Sequence, residues 1–197
     1  MRGRPKSFDR DEALEKALAV FWERGFGGTA IGDLTVCMGI GRQSLYDTFG
    51  DKHSLYLEAL RRYIEIRVTE ARTLFEDPER GALDKLEVLL GLWKEEALSG
   101  RAGCMMVNGS TELGPTDEAA ARLMEKGMAR MEGLVRDLLQ SARDAGELSD
   151  LASPTSFARL IMNTSHGLAA RSRLGLEEHE MDDIFGLMLR LLARDPA

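Results

Sequence analysis

Residues 29–52 constrain the fold more than any other stretch, because two short helical patterns flank a glycine-containing turn. Thr29 precedes the first pattern as a candidate N-cap, and its apolar residues recur at helical spacing. Gly39 and Gly41 bracket the turn, and residues 42–49 form the second helix. This order predicts a helix-turn-helix, in which the second helix lies in the major groove of DNA.

The second helix has one apolar and one polar face. Leu45 and Phe49 are four residues apart, so they share a face that docks on the core. The side chains near the N-terminus of this helix stay free, and their types suit base edges and phosphates: Arg42, Gln43, Ser44 and Tyr46. Each bidentate base contact would give roughly 1–3 kcal/mol of discrimination. A short polar hairpin in any helical protein would produce the same pattern, and that alternative stays open here.

The flanking residues predict helices on both sides of the motif. Asp9 and Glu12 form a capping box for a first helix, whose apolar stripe ends at Gly25. Asp51 caps a long helix with Lys52 in its first turn. Lys52 and the neighbouring N–H groups are placed to bind one phosphate.

The N-terminal residues 1–7 contain three cations among Gly and Pro, with no apolar residue to pack after Met1. Arg2 and Arg4 flank a glycine, and this slim basic segment suits a narrow A·T-rich minor groove. An ordinary solvated basic terminus is the alternative.

Several short matches between residues 8 and 67 resemble the N-terminal signature of the TetR/AcrR family of prokaryotic transcriptional regulators. They are Thr29-Ala30-Ile31, Asp33-Leu34, Met38-Gly39-Ile40, Ser44-Leu45-Tyr46, Phe49-Gly50-Asp51-Lys52 and Tyr56. The resemblance implies a homodimeric, all-helical regulator with a DNA-binding head and a ligand-binding, dimerising body, in which an effector usually releases the operator. It also implies operator contacts at Thr29, Arg42, Gln43, Ser44, Tyr46 and Lys52. Gly41 and Cys37 depart from the residues that the family usually has at these positions.

Charge is divided unevenly along the chain, which has a net charge of −7. Residues 1–67 carry 11 basic and 10 acidic side chains, whereas residues 68–197 carry 15 and 23. The acidic part would be repelled from DNA and so orients the head toward it. A nearly neutral head needs specific contacts from two subunits on a palindrome, with half-sites separated by one or more helical turns of about 34–36 Å.

Composition excludes several classes of protein. With 44% hydrophobic residues the chain can build a globular core, but it has no apolar run long enough to span a membrane and no signal peptide. Two cysteines and three histidines offer no disulfide framework and no metal-ligand spacing. We therefore expect a cytoplasmic protein without metal or cofactor. No motif brings an acid, a base and a nucleophile together, so we do not expect an enzyme.

The remaining chain continues as helix after helix, which predicts an all-α fold of about nine helices. We divide it into an N-terminal arm and helix-turn-helix head (residues 1–51), a connecting helix (52–75), and a ligand-binding and dimerisation body (76–197). An unbroken connecting helix would couple the body to the head.

Methionines are concentrated in the body, where eight of the ten lie at or after Met105. Such flexible side chains can line a pocket for varied apolar or amphipathic small molecules, although a plain helical core would also use them. The predicted ligand-binding residues are Trp93, Cys104, Met105, Asn108, Met124, Met128, Met131, Phe157, Met162 and His166. Asn108 and His166 would be the polar anchors, with a hydrogen-bonded core or interface residue as the alternative for His166.

Cys104 lies at the start of a helix, where the dipole can lower the pKa of a thiol. This position suggests an electrophile-sensing or oxidant-sensing regulator as an alternative, against the simpler reading of a small buried cysteine. A helical protein–protein adaptor that does not bind DNA is the second alternative.

The last two predicted helices have wide apolar faces, which suggests that two copies pack as a four-helix bundle. This isologous contact would supply the two-fold symmetry of a palindrome. The predicted dimer residues are Phe157, Leu160, Ile161, Leu168, Ile184, Phe185, Met188 and Leu191.

Overall fold

The computed structural model describes residues 8–99 and 103–194. These residues form nine α-helices and no β-strand beyond an isolated bridge between Leu148 and Ala193, which confirms the predicted fold class. The helices are α1 (Arg10–Arg24), α2 (Ile31–Met38), α3 (Arg42–Phe49), α4 (Lys52–Phe75), α5 (Ala82–Leu98), α6 (Met105–Glu112), α7 (Glu118–Asp144), α8 (Pro154–Ser172) and α9 (Glu178–Leu192).

Helices α1 to α3 form the head, and local capping sets their ends. The side chain of Asp9 caps α1 by accepting hydrogen bonds from the backbone N–H groups of Asp11 and Glu12, at 2.8 and 2.9 Å. Helix α2 ends at Gly39, whose φ of 68° lies in the left-handed region that favours glycine. Helix α2 then packs against α1 and α3, and α3 packs against α2 and α4.

Helix α4 belongs to both the head and the body. Its first turn is capped by Asp51, which accepts from the N–H of Ser54 at 2.7 Å. Tyr56 on α4 packs edge-on against Phe21 of α1, with ring centroids 5.2 Å apart, and both side chains are buried. The rest of the helix packs against α5, α6 and α7. A single continuous helix therefore runs from the head into the body, as the sequence predicts.

The body is built around α7, which packs against α4, α5, α6 and α8. Gly127 lies where α7 crosses α4, and a Cβ at this position would come within 2.9 Å of Ile64 Cδ1 and Met106 Sδ. The missing side chain therefore allows the close approach of these helices. Within the described residues, no helix has both the length and the apolar character needed to cross a bilayer.

Candidate nucleic-acid interface and internal cavity

Helix α3 exposes polar side chains on one face and buries the other. Leu45 is 0% and Phe49 3% exposed, so both lie in the core of the head. Arg42, Gln43 and Tyr46 are exposed, and Ser44 is half-buried. The structure therefore brings the predicted α3 contacts together on one outward surface, in the arrangement by which a helix reads a groove.

Thr29 does not belong to that surface. Its side chain is 1% exposed, and its hydroxyl donates to the carbonyl of Gly25 at 2.6 Å. The N-cap of α2 is Ala30, whose N–H is bound by the carboxylate of Asp33 at 3.0 Å. The prediction that Thr29 caps α2 is therefore wrong. Its contact with DNA stays a prediction, although its side chain is buried and its hydroxyl is already hydrogen-bonded.

Lys52 is used within the protein. Its ammonium group donates to the carbonyls of Phe26 and Thr29 at 2.8 and 2.9 Å, and it lies 4.2 Å from the centroid of the Phe26 ring. These contacts take two of its three N–H donors, so Lys52 stabilises the α1–α2 loop. Its contact with a phosphate stays a prediction for the remaining donor. Arg2 and Arg4 lie outside the described residues.

A cavity with an open mouth lies in the body and has a free volume of about 60 Å³. Helices α4, α5, α6, α7, α8 and α9 all contribute to its wall. The lining residues are Tyr63, Arg67, Trp93, Glu96, Ala97, Gly103, Cys104, Met106, Met131, Met162, Ser165, His166, Ala169, Met181 and Phe185. The wall is therefore largely apolar, which suits an apolar small molecule.

The structure divides the ten predicted ligand-binding residues into two groups. Those that line the cavity are Trp93, Cys104, Met131, Met162 and His166. The other five do not line it, and their role stays a prediction: Met105, Asn108 and Phe157 are buried outside the lining, and Met124 and Met128 border a separate groove beside α6. Helical periodicity could not separate these positions, because neighbouring helices bury both groups.

Sequence reasoning missed the charged part of the wall. Arg67 forms an ion pair with Glu96 at 3.3 Å, and the Tyr63 hydroxyl donates to Glu96 at 3.0 Å. Burial raises the pKa of Tyr63 well above its ordinary value and lowers the pKa of His166, so both side chains are held neutral. The described wall therefore has no net charge. The signal was Arg67 itself, a cation among the buried positions of α4.

Cys104 is the N-cap residue of α6, and its sulfur lies 3.6 Å from the Tyr63 hydroxyl oxygen, whose one proton is donated to Glu96. Burial raises the pKa of Cys104, and this effect exceeds the lowering by the backbone N–H groups of Val107 and Met106. The predicted lowering of the thiol pKa at this helix start is therefore wrong. A protonated thiol reacts slowly with electrophiles. Cys104 is nevertheless only half-buried and lines the cavity, so its role as a sensor stays a prediction.

Two family models match this chain. "Bacterial regulatory proteins, tetR family" matches residues 13–59, and "Tetracyclin repressor-like, C-terminal domain" matches residues 82–185, which is more than half of the chain. The chain belongs to the TetR family. It is a DNA-binding transcriptional regulator, so the alternative of an adaptor without DNA binding is wrong.

Relatives and solved structures in this TetR family resemble the chain over nearly its whole length. The HTH-type transcriptional repressor ComR of Escherichia coli is 30% identical over 194 residues, covering 96% of this chain and 91% of ComR. The uncharacterized HTH-type transcriptional regulator YezE of Bacillus subtilis is 33% identical over 168 residues, covering 83% and 84%. A cysteine mutant of the TetR family regulator CifR, solved with 26-bp double-strand operator DNA, is 27% identical with a TM-score of 0.83, covering 96% and 100%.

The predicted dimer residues of this TetR-family chain do not share one surface. Five of them are buried within the protomer, and their contact with a partner stays a prediction: Phe157, Ile161, Leu168, Phe185 and Met188. Phe185 instead lines the cavity. Leu160 and Leu191 are 47% and 42% exposed, and Ile184 is half-buried. Leu187, also on α9, is 52% exposed.

The body contacts the head through hydrogen bonds at the loop between α1 and α2. The carboxylate of Glu112, the last residue of α6, accepts from the N–H groups of Phe26 and Gly27 at 3.0 and 2.5 Å. Next to it, His53 of α4 is hydrogen-bonded to Asp117, the N-cap of α7. The N–H of Ala120 and the contact with His53 lower the pKa of Asp117, so it stays ionised. Helix α6 thus runs from the cavity, beside Cys104 and Met106, to the head.

No group of three or more His, Cys, Asp or Glu side chains within residues 8–99 and 103–194 is arranged to hold a metal ion.

Proposed function

We propose that this protein is a homodimeric repressor, which binds a palindromic operator through α3 and is released by a small, largely apolar effector. Arg42, Gln43, Ser44 and Tyr46 would contact the duplex. A regulator that binds operator DNA in this way would act in the cytoplasm and would not be an enzyme.

The main support for the proposal is that α3 has one buried apolar face and one exposed polar face. A helix that buries Leu45 and Phe49 while exposing Arg42, Gln43 and Tyr46 is supported by the core on one side and free on the other. The exposed set combines donors for guanine and phosphate with an amide for adenine. The match to CifR, whose structure contains operator DNA, supports the same use of this surface.

A second copy of the chain would supply the symmetry that a palindrome requires. Leu160 on α8 and Leu187 and Leu191 on α9 are large apolar side chains exposed on the last two helices. We infer that these residues, with Ile184 beside them, form the dimer surface. The buried residues next to them would support that surface from inside the protomer.

The cavity would bind the effector. Its described wall is largely apolar, Arg67 is neutralised by Glu96, and His166 is neutral, so a charged ligand would find no counter-ion there. An uncharged apolar or weakly amphipathic molecule fits this wall best. Its binding would shift the cavity end of α6 and, through Glu112, the loop that supports the head. Such coupling is reciprocal and typically amounts to about 1–3 kcal/mol.

Selection of duplexes from a random pool tests DNA reading. We expect one palindrome to be enriched, and its affinity to fall steeply with salt concentration. Gln43→Ala should relax the base preference at one position of each half-site, whereas Gln140→Ala, on an exposed position of α7, should change nothing. Failure to enrich any duplex would contradict the proposal.

Thermal unfolding with a panel of uncharged apolar compounds and their carboxylate analogues tests the cavity. Only uncharged compounds should stabilise the protein, by about 2.7 kcal/mol at a ligand concentration of 100 times Kd, and they should weaken operator binding. Ala169→Leu, which fills part of the cavity wall, should reduce both effects. Compounds that stabilise this variant as strongly as the unmodified protein would bind elsewhere.

A further inference from the structure

Asp47 lies on the exposed face of α3, one turn after Gln43. The Nε2 of Gln43 donates a hydrogen bond to Oδ1 of Asp47 at 2.8 Å. A carboxylate on a helix that approaches a polyanion weakens binding to every sequence. Asp47 is also a poor helix former in the second half of α3, where the helix dipole disfavours negative charge. Neither general affinity for DNA nor helix stability therefore explains why an aspartate occupies position 47.

The hydrogen bond fixes which way the Gln43 amide points. An ionised carboxylate only accepts hydrogen bonds, so the amide nitrogen of Gln43 must face Asp47. The amide oxygen and the second N–H of Gln43 are then left for another partner. Without Asp47, the side chain would rotate freely and both flips of the amide would be equal in water.

The amide oxygen and the second N–H of Gln43 match the major-groove edge of one base, adenine. Adenine presents an acceptor, N7, beside a donor, the N6 amino group, in the major groove. A glutamine amide binds both with its N–H and its oxygen, provided that its orientation is correct. Ordering a rotamer-rich side chain on binding costs about two- to tenfold in affinity, and a side chain that is already held avoids much of that loss.

We propose that Asp47 is a specificity-determining residue, which positions Gln43 for an adenine in each half-site. The inference rests on the proposed function, since it assumes that α3 lies in the major groove. Asp47 acts through Gln43. Its negative charge lowers the affinity for all DNA, and its hydrogen bond to Gln43 sharpens the base preference. In the groove, where water is excluded, the bond between the two side chains becomes stronger.

The test uses the full chain and compares duplexes selected from a random pool by the unmodified protein and its variants. Gln43→Ala should lose about 5- to 150-fold of preference at one base pair of each half-site, the fold-change of one bidentate contact. Asp47→Ala should lose about two- to tenfold at the same base pair while binding unrelated duplexes more tightly. The double variant should lose no more preference than Gln43→Ala alone.

Two further variants separate positioning from a general effect. Asp47→Asn removes the negative charge and can either accept from or donate to Gln43, so it should bind unrelated duplexes as tightly as Asp47→Ala and keep only part of the preference. Gln140 and Asp144 form the same bond, also at 2.8 Å and four residues apart, on α7 of the body. Asp144→Ala should leave the selected sequence unchanged.

Three results would overturn the inference. The first is that Asp47→Ala keeps the full base preference at the base pair where Gln43→Ala loses it. The second is a loss at a different base pair, which would mean that the carboxylate reads a cytosine amino group directly. The third is an unchanged preference in Gln43→Ala. If the unmodified protein selects no duplex at all, the proposed function fails and the inference fails with it.

Discussion

Truncating Glu112 tests how the body holds the head. Its carboxylate accepts two backbone N–H bonds from the α1–α2 loop, at 3.0 and 2.5 Å. A hydrogen bond to a charged group contributes about 1.5–3 kcal/mol. Glu112 is exposed, and water can bind the N–H groups after truncation, so the lower end applies. We therefore expect Glu112→Ala to lower the free energy of unfolding by about 2–3 kcal/mol in total.

Urea denaturation at fixed protein concentration measures this change, and amide hydrogen exchange locates it. The amides of Phe26 and Gly27 should exchange faster in Glu112→Ala, and Glu112→Gln should lie between this variant and the unmodified protein. Glu118→Ala is the matched control, since this glutamate pairs with Arg122 on the surface of α7 and does not contact the head. Equal stability and equal exchange in Glu112→Ala would refute the reasoning.

Three further predictions follow from the described contacts. Lys52→Met should lower the unfolding free energy by about 2–4 kcal/mol in urea denaturation, because two charge-assisted hydrogen bonds are lost; unchanged stability with weaker binding to all DNA would instead make Lys52 mainly a phosphate contact. Burial lowers the pKa of His166, so the unfolded chain binds the proton first and the stability of the fold should decrease as pH drops through 6.5. Denaturation at about pH 5 and about pH 8 should show a smaller difference in stability for His166→Asn. A difference equal to that of the unmodified protein would rule out His166 as its source. A thiol reagent such as Ellman's should react rapidly with exposed Cys37 and slowly with Cys104, whose pKa is raised by desolvation. A fast phase that persists in Cys37→Ser would contradict the raised pKa of Cys104.

The helix-turn-helix could be predicted from sequence because its signals are local. Asp9 and Asp51 each cap a helix at the predicted place, and α3 and α4 have the predicted bounds. A cap needs only its own backbone and a side chain within three residues, which a linear sequence displays. The same holds for the apolar face of α3.

Contacts between distant segments could not be predicted in this way. Lys52 looks like a phosphate ligand in the sequence, but two of its N–H donors bind the carbonyls of Phe26 and Thr29 in the α1–α2 loop. On α8, Leu160 and Ile161 are adjacent apolar residues, yet one is 47% exposed and the other 0%. Periodicity identifies an apolar arc, and only packing decides which part of it stays outside the core.

The cavity was the feature least predictable from the sequence, because its wall combines residues from six helices. Met106 lines it and Met105 does not, although both are buried neighbours at the start of α6. The ion pair between Arg67 and Glu96 joins two helices, and no spacing in the sequence indicates it.

Hydroxyl-radical footprinting of the selected duplex tests the central claim most directly, because it shows where two heads lie on DNA. We predict two protected half-sites related by a two-fold axis, with centres one or more helical turns of about 34–36 Å apart. The protection should be lost in a variant that carries both Arg42→Ala and Tyr46→Ala. A single asymmetric footprint, or protection that survives these changes, would contradict the account that paired α3 helices read the operator.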